Sequence, residues 1–228
     1  MSQRDDLRDL VAEFFETEPD RINAEFSFTS GRMEGSVARY ALDAAIRRRL
    51  GLKCQAVHSA KTFGELETSL FGASGPDQPI DSMPAKTRKP GRLTAPEAPA
   101  SFTTAACGID IELIANLPEA ADYWKHEFYQ TWFTPAEIAY CAMQKKPAIH
   151  FGARWCAKEA LKKCDRAFLE TDMSQIEVVR DESGEVALAY RSNGSLTFLP
   201  YALSISHTSL MAAAIVIKVS GGTDATKQ

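Results

Sequence analysis

The fold of this chain depends on one stretch, Phe151-Gly-Ala-Arg-Trp-Cys-Ala-Lys-Glu-Ala-Leu-Lys-Lys163, which has the pattern of a helix. Small apolar residues recur at helical spacing and form one stripe: Ala153, Cys156, Ala157, Ala160, Leu161 and Cys164. Such a stripe predicts close packing against a sheet. Trp155, Glu159 and Lys163 follow at four-residue steps on one flank, so an acid and a base share a side. Taken alone, this flank is more typical of a surface ion pair than of a catalytic site.

The alternation Gly108-Ile-Asp-Ile-Glu-Leu113 predicts a half-buried strand upstream of this helix. Side chains alternate between the two faces of a strand, so Asp110 and Glu112 lie on the same face. Neighbouring carboxylates repel unless a cation lies between them, and Mg²⁺ prefers oxygen ligands. The strand taken alone favours the simpler interpretation, a polar face in solvent.

Further elements complete an α+β pattern with an antiparallel sheet over residues 104–219. A helix is predicted over 119–132, and Thr134-Pro-Ala-Glu137 has the form of a capping box that begins the next one. The predicted strands are 176–180 and 185–190, joined by a hairpin signal at 181–184, and then 201–208 and 212–217.

The first 72 residues have the pattern of a small helical bundle. Helices are predicted over 3–16, from Ser36 to Gly51, and over 62–72 with Thr62 as N-cap. Residues 73–103 are rich in proline and alanine and predict a flexible linker between two domains. Residues 220–228 predict a disordered tail.

The composition limits the class of protein. The chain has 228 residues and a formal net charge of −4, and this mild acidity gives no reason to expect a nucleic-acid partner. No apolar run approaches the ~18 residues of a membrane span. The charged N-terminal residues do not resemble a signal peptide, and five scattered cysteines indicate neither a zinc site nor a disulfide framework. We therefore expect a reducing, cytoplasmic location.

Residues 3–72 resemble an acyl carrier protein in the order of their helices, in Gly35-Ser36-Val37 opening the second helix, and in Thr62-Phe-x-x-Leu66. The resemblance implies that Ser36 carries 4'-phosphopantetheine, and a helix N-terminus favours a phosphate there. The alternative is a plain N-cap serine. Two features depart from the family pattern: Gly35 precedes the serine instead of aspartate, and the second helix carries arginines instead of acids at 39, 47, 48 and 49.

Four motifs of the second half, taken together, resemble the 4'-phosphopantetheinyl transferase superfamily over residues 105–219. They are Gly108-Ile-Asp-Ile-Glu112, Phe133-Thr-x-x-Glu137, Arg154 to Lys163, and Ser204-Ile-Ser-His-Thr208. The short module and the Ser-His-Thr sequence resemble the holo-acyl-carrier-protein synthase branch. Glu112, two residues after Asp110, resembles the longer surfactin-synthetase-activating branch.

The resemblance implies roles for individual residues. Asp110, Glu159 and Glu112 would hold Mg²⁺, and Glu159, Lys163 and Asp110 would form the catalytic group. Contacts to the phosphates of the co-substrate coenzyme A would come from Arg154, Lys158, Lys163, Ser206 and His207. A solvated helix face is the alternative for Arg154 and Lys158, and a structural histidine is the alternative for His207. The acceptor proton would pass to Glu159 directly or through a metal-bound water.

The expected protein is thus a carrier-like bundle fused to a magnesium-dependent transferase. The resemblance also implies a homo-oligomer, a homotrimer in this branch, whose site lies between subunits. The acceptor is either the chain's own Ser36 or a separate acyl carrier protein of fatty-acid or polyketide synthesis, and the departures around Ser36 favour the separate carrier. In the alternative from another class, the chain is a carrier or docking module whose transferase half is an inactive scaffold.

Overall fold

The computed structural model describes residues 2–29, 36–72, 105–180 and 185–219. Residues 2–72 contain helices α1 (Gln3–Phe14), α2 (Ser36–Leu50) and α3 (Phe63–Phe71), close to the predicted bounds. Ser2 and Thr62 cap α1 and α3 with their hydroxyls, as predicted for Thr62. The three helices enclose an apolar core that includes Leu7, Leu10, Phe28, Leu42, Ile46, Val57, Phe63 and Leu66. The predicted linker and tail lie outside the described residues.

Residues 105–219 form an α+β structure with antiparallel sheets, as predicted. The helices are α4 (Glu127–Trp132), α5 (Pro135–Ala142) and α6 (Pro147–Cys164). The strands are β1 (Ala105–Leu113), β2 (Ile176–Arg180), β3 (Val186–Ser192), β4 (Ser195–Phe198), β5 (Ala202–His207) and β6 (Met211–Val219). Within the described ranges they make two three-stranded antiparallel sheets, ordered β1-β6-β5 and β2-β3-β4.

The structure differs from the prediction at two elements. The helix expected over 119–132 is helical only from Glu127, because the residues before it form turns. Strand β4 was not predicted, although Asn193-Gly194 is a strong hairpin signal. Both turn residues have positive φ angles, 48° and 81°, as this tight turn requires. The capping box of Thr134 and Glu137 is present, as predicted.

Helix α6 packs its small-residue stripe directly against the first sheet, as predicted. Cys156, Ala157 and Ala160 are fully buried against Ala212, Ala214 and Val216 of β6. Gly108 is where β1 comes closest to the helix. A Cβ added there would overlap the carbonyl oxygen of Ala160 and lie 2.5 Å from the backbone nitrogen of Cys164. Only glycine therefore permits this contact between strand and helix.

Strand β1 is half-buried, but its buried face is polar and its exposed face is apolar. Its carboxylate residues, Asp110 and Glu112, are each 7% exposed. Its apolar residues are the open ones: Ile109 is 57%, Ile111 58% and Leu113 49% exposed. The interpretation of this strand taken alone, a polar face in solvent, is thus wrong, since the polar face lies on the helix side. We call the opposite side the outer sheet face; it comprises Ile109, Ile111, Leu113, Met211 and Ile215.

The helical bundle packs against the α+β part through α2. Val37 and Ala44 of this helix are buried in one apolar cluster with Phe128, Trp132 and Trp155. The same helix contributes Leu42 and Ile46 to the bundle core, so it joins the two cores. None of the helices in the described ranges is both long and apolar enough to cross a bilayer.

Candidate active site

A cluster of opposite charges lies where β1 meets α6. Asp110 comes from the strand, and Glu159 and Lys163 come from adjacent turns of the helix. The ammonium nitrogen of Lys163 lies 2.6 Å from Oδ1 of Asp110. Burial, reinforced by the charge of Asp110, raises the pKa of Glu159. Although burial alone would lower the pKa of Lys163, its hydrogen bond to Asp110 raises it. The sequence-predicted catalytic group is therefore assembled in one place.

The carboxylates of this cluster have unused hydrogen-bonding capacity. Oδ2 of Asp110 and Oε1 of Glu159 are buried and have no hydrogen-bond partner in the described chain. A buried orphan oxygen is costly unless an ion or a water satisfies it. Mg²⁺ is typically bound through one or two carboxylates together with substrate phosphates. Asp110 and Glu159 therefore fit this ion by charge, by atom type and by position.

Glu112, the third predicted ligand, has other partners. Its Oε1 accepts hydrogen bonds from the backbone nitrogen of Leu113 at 3.0 Å and from Nδ2 of Asn116 at 2.7 Å. Burial raises its pKa, although both hydrogen bonds act against this. Across the ranges that the structure describes, no three histidine, cysteine, aspartate or glutamate side chains lie close enough to hold a metal ion together. Of the three predicted ligands, Asp110 and Glu159 each keep a buried oxygen without a partner, whereas Glu112 is held by Leu113 and Asn116.

A second, basic cluster lies at the other flank of α6. The guanidinium of Arg154 lies over the ring of Tyr140 at 4.1 Å, and its Nη1 donates to the carbonyl oxygen of His150 at 3.4 Å. The rings of His150 and His207 are 5.4 Å apart. Burial lowers the pKa of His150, and the positive charges of His207, Arg154 and Arg180 lower it further. This cluster suits an anionic group such as a phosphate.

The basic cluster and the acidic cluster lie on different sides of α6 within one chain. Successive residues of a helix are about 100° apart, so Arg154 and Glu159 lie on different flanks of α6. Ser206 is further away, because its register opposite Ala213 and Ile111 places it on the outer sheet face. Of the predicted coenzyme A residues, the structure therefore brings Lys163 to the predicted metal ligands, but not Arg154, Ser206 or His207.

Lys158 is a correction to the predicted coenzyme A contacts. Its side chain is fully buried, which also excludes a solvated helix face. Its ammonium pairs with Glu137 at 2.6 Å and donates to the carbonyl oxygens of Trp132 and Met173, each at 3.0 Å. These three bonds use all the donors of a lysine. Lys158 therefore has no donor left for a phosphate and holds α4, α5 and the chain before β2 together.

The bundle reaches the acidic cluster through the first turns of α2. The hydroxyl of Ser36 lies 3.4 Å from the indole nitrogen of Trp155, one turn before Glu159. One turn after Ser36, the Tyr40 hydroxyl faces Glu159, and the hydrogen bond between them lowers the pKa of this carboxyl group. The Tyr40 ring packs edge-on against Trp155 and Trp132, with centroids 4.8 and 5.0 Å away. Ser36 and the candidate active site are therefore neighbours.

Sequence reasoning missed two of these residues. Tyr40 and His150 belong to no motif of the chain, and each acquires its place from an element distant in sequence. The only local signal was position, since Tyr40 lies one helical turn after Ser36 and His150 one turn before Arg154.

Residues 106–214 match the sequence profile of the 4'-phosphopantetheinyl transferase superfamily. A holo-[acyl-carrier-protein] synthase of Syntrophus aciditrophicus is 34% identical over 119 residues, which are 48% of this chain and 91% of that protein. The chain belongs to the 4'-phosphopantetheinyl transferase superfamily. A holo-[acyl-carrier-protein] synthase of Halothermothrix orenii is 32% identical over 120 residues, which are 50% of this chain and 96% of that protein. The family predicted from the four motifs is thus confirmed.

Other relatives of this transferase differ in size. The fatty acid synthase subunit alpha of Candida parapsilosis is 29% identical over 118 residues, 48% of this chain but 6% of that protein. The solved ACPS–CoA complex of Chronobacterium ammoniagenes shares 24% identity and covers 50% of this chain and 96% of its own, with a TM-score of 0.39. The family profile leaves residues 1–105 outside its match. The resemblance of residues 3–72 to a carrier protein stays a prediction.

Proposed function

We propose that this chain transfers 4'-phosphopantetheine from coenzyme A to the serine of an acyl carrier protein, and that its own Ser36 is an acceptor. The observation that carries the proposal is the cluster beside Ser36, in a member of this superfamily, in which Asp110 and Glu159 have buried oxygens without partners and the exposed Lys163 pairs with Asp110. An inactive scaffold would have no need of buried carboxylate oxygens without partners. The cluster therefore favours an enzyme over a docking module.

The residues of the cluster have complementary roles in this reaction. Asp110 and Glu159 would hold Mg²⁺, which when bound withdraws charge from the phosphates of coenzyme A. Lys163 places a positive charge beside them. The serine oxygen forms a bond to the β-phosphorus, and the bond to the departing 3',5'-ADP breaks. Glu159 takes the serine proton, directly or through a water.

The placement of α2 favours Ser36 over a separate carrier as the acceptor. Ser36 is half-buried at the start of its helix, and its hydroxyl contacts the indole nitrogen of Trp155. Trp155 would thus orient the acceptor, while Tyr40 would orient Glu159. We also propose that residues 1–72 and 104–219 are separate domains and that 73–103 link them. The cytoplasmic location stays a prediction from composition.

We further propose that the transferase acts as a homo-oligomer. The outer sheet face exposes a row of large apolar side chains, and such patches mark interfaces. Sedimentation at micromolar concentration tests this directly. An active monomer would contradict the proposal, whereas a trimer would support it.

The transfer itself is tested by the release of 3',5'-ADP from coenzyme A in the presence of Mg²⁺. We expect release by the wild type and none by folded Asp110→Ala and Glu159→Ala chains, with Asp9→Ala, which changes an exposed carboxylate of α1, as the control. If release requires an added acyl carrier protein and is unchanged in Ser36→Ala, the chain is an enzyme but Ser36 is not its acceptor. No release under either condition would refute the proposed transfer.

A further inference from the structure

Arg47 of α2 is the anchor of the contact between the bundle and the transferase. Its Nη1 lies 3.1 Å from Oδ1 of Asp172, which belongs to the α+β part. Its Nε lies 3.0 Å from the buried Asp43 of its own helix, and its guanidinium covers the ring of Trp132 at 4.6 Å. The Arg47 side chain is only 17% exposed. Half-buried arginines held in this way are typical centres of binding energy in an interface.

Other basic residues near Arg47 also contact polar or acidic residues of the α+β part. Arg49 lies 3.5 Å from Glu127 at the start of α4, and Arg48 donates to Gln130 one turn later. Lys53, just after α2, lies 3.6 Å from Asp172. In each of these pairs the bundle supplies the cation and the transferase supplies the acceptor; Arg49 also pairs with Glu13 of α1 at 2.5 Å. We call Glu127, Gln130 and Asp172 the acidic docking surface.

We propose that the acidic docking surface selects the acceptor by charge: it admits a carrier helix with arginines in its last turns, such as α2, and rejects one with acids there. This inference rests on the proposed transfer to Ser36. Exposed ion pairs contribute little attraction. The discrimination comes instead from repulsion, because carboxylates placed against Asp172 and Glu127 would be partly desolvated and of like charge. Three of the arginines that depart from the carrier pattern, Arg47, Arg48 and Arg49, thus acquire a reason in the same chain.

A charge-reversal cycle in the full-length chain tests this inference. One variant reverses the helix, Arg48→Glu with Arg49→Glu; another reverses the surface, Gln130→Arg with Glu127→Arg; a third combines all four changes, and all three keep Arg47 paired with the buried Asp43. The readout is the initial rate of the mass gain on Ser36 with coenzyme A and Mg²⁺. Arg8→Glu on α1, whose ion partner is Asp5 of the same helix, makes the same kind of charge change elsewhere and is the control.

We expect each half-reversed chain to be slower than wild type by about 10-fold or more, and the fully reversed chain to recover most of the rate. Arg8→Glu should match the wild type. Half-reversed chains at the wild-type rate would overturn the inference, and so would a fully reversed chain as slow as either half while still folded by circular dichroism. A wild type that gains no mass would instead refute the transfer itself, so the two failures are distinguishable.

Discussion

Replacing Gly108 with alanine should push β1 away from α6 and impair both stability and transfer. The added methyl group would overlap the carbonyl oxygen of Ala160 and lie 2.5 Å from the backbone nitrogen of Cys164. Both are backbone atoms of a buried helix, so neither can turn aside as a side chain could. Relief needs a displacement of about 1.4 Å before the added Cβ reaches ordinary van der Waals separation from the Ala160 oxygen in a close-packed interior.

The size of the effect follows from that displacement. Overpacking of a core costs about 1–3 kcal/mol, and a backbone clash lies at or above the upper end of that range. Asp110 lies two residues along β1, whereas Glu159 and Lys163 lie on α6, so the shift separates members of the acidic cluster. A misplacement of about 1 Å can cost 100-fold in rate, which is the loss we expect for transfer to the carrier serine.

Urea unfolding and the rate of 3',5'-ADP release measure both effects, with Gly152→Ala as the matched control. That glycine is also at the interface of α6, but its added Cβ would meet the tip of the flexible Ile114 side chain, 2.7 Å away. Alanine also favours the helix by about 1 kcal/mol over glycine, which offsets part of the crowding. A Gly108→Ala chain with the stability and rate of the wild type would refute the packing argument.

Three further changes have defined outcomes. Lys158→Met leaves Glu137 buried without its ion pair, so urea unfolding should show a free energy of unfolding lower by about 3–5 kcal/mol. A decrease below about 1 kcal/mol would contradict the buried pair. The hydrogen bond from Lys218 holds the pKa of Asp165 far below its usual value, so this carboxylate stabilises the fold above its unfolded pKa of about 3.9. The melting-temperature difference between wild type and Asp165→Asn should therefore shrink as pH falls from 7 to 3, and a constant difference would contradict the shift. Trp155→Phe removes the donor to the acceptor serine and also lowers the melting temperature, because the smaller ring leaves a cavity at this fully buried position. Transfer by the folded variant should slow by about 2–10-fold, and an unaffected rate would contradict the positioning role.

Local patterns in the sequence predicted much of the fold and the acidic cluster of the candidate active site. Helix α6 and its small-residue stripe follow from periodicity, and the alternation in β1 placed Asp110 and Glu112 on one face. These are properties of neighbouring residues, which a sequence displays directly. The motifs then led to the family, and the structure brings Asp110, Glu159 and Lys163 together.

Contacts between distant segments were beyond such patterns. The side of β1 that is buried depends on α6 and on what covers the outer sheet face, so its inverted polarity was not predicted. Lys158 looked available for a phosphate because Glu137, 21 residues earlier, gives no local sign that the two meet. Arg47 looked like a departure from a carrier pattern because Asp172, its partner in space, is 125 residues away in the sequence.

Intact mass spectrometry of the full-length chain after incubation with coenzyme A and Mg²⁺ tests the central claim most directly. The claim is that this transferase modifies the serine held beside its own acidic cluster. The wild type should gain about 340 Da, the mass of one phosphopantetheine group, and neither Ser36→Ala nor Glu159→Ala should gain it. A wild type that stays unmodified while it loads an added carrier protein would contradict self-modification, and an unmodified carrier as well would contradict the enzyme.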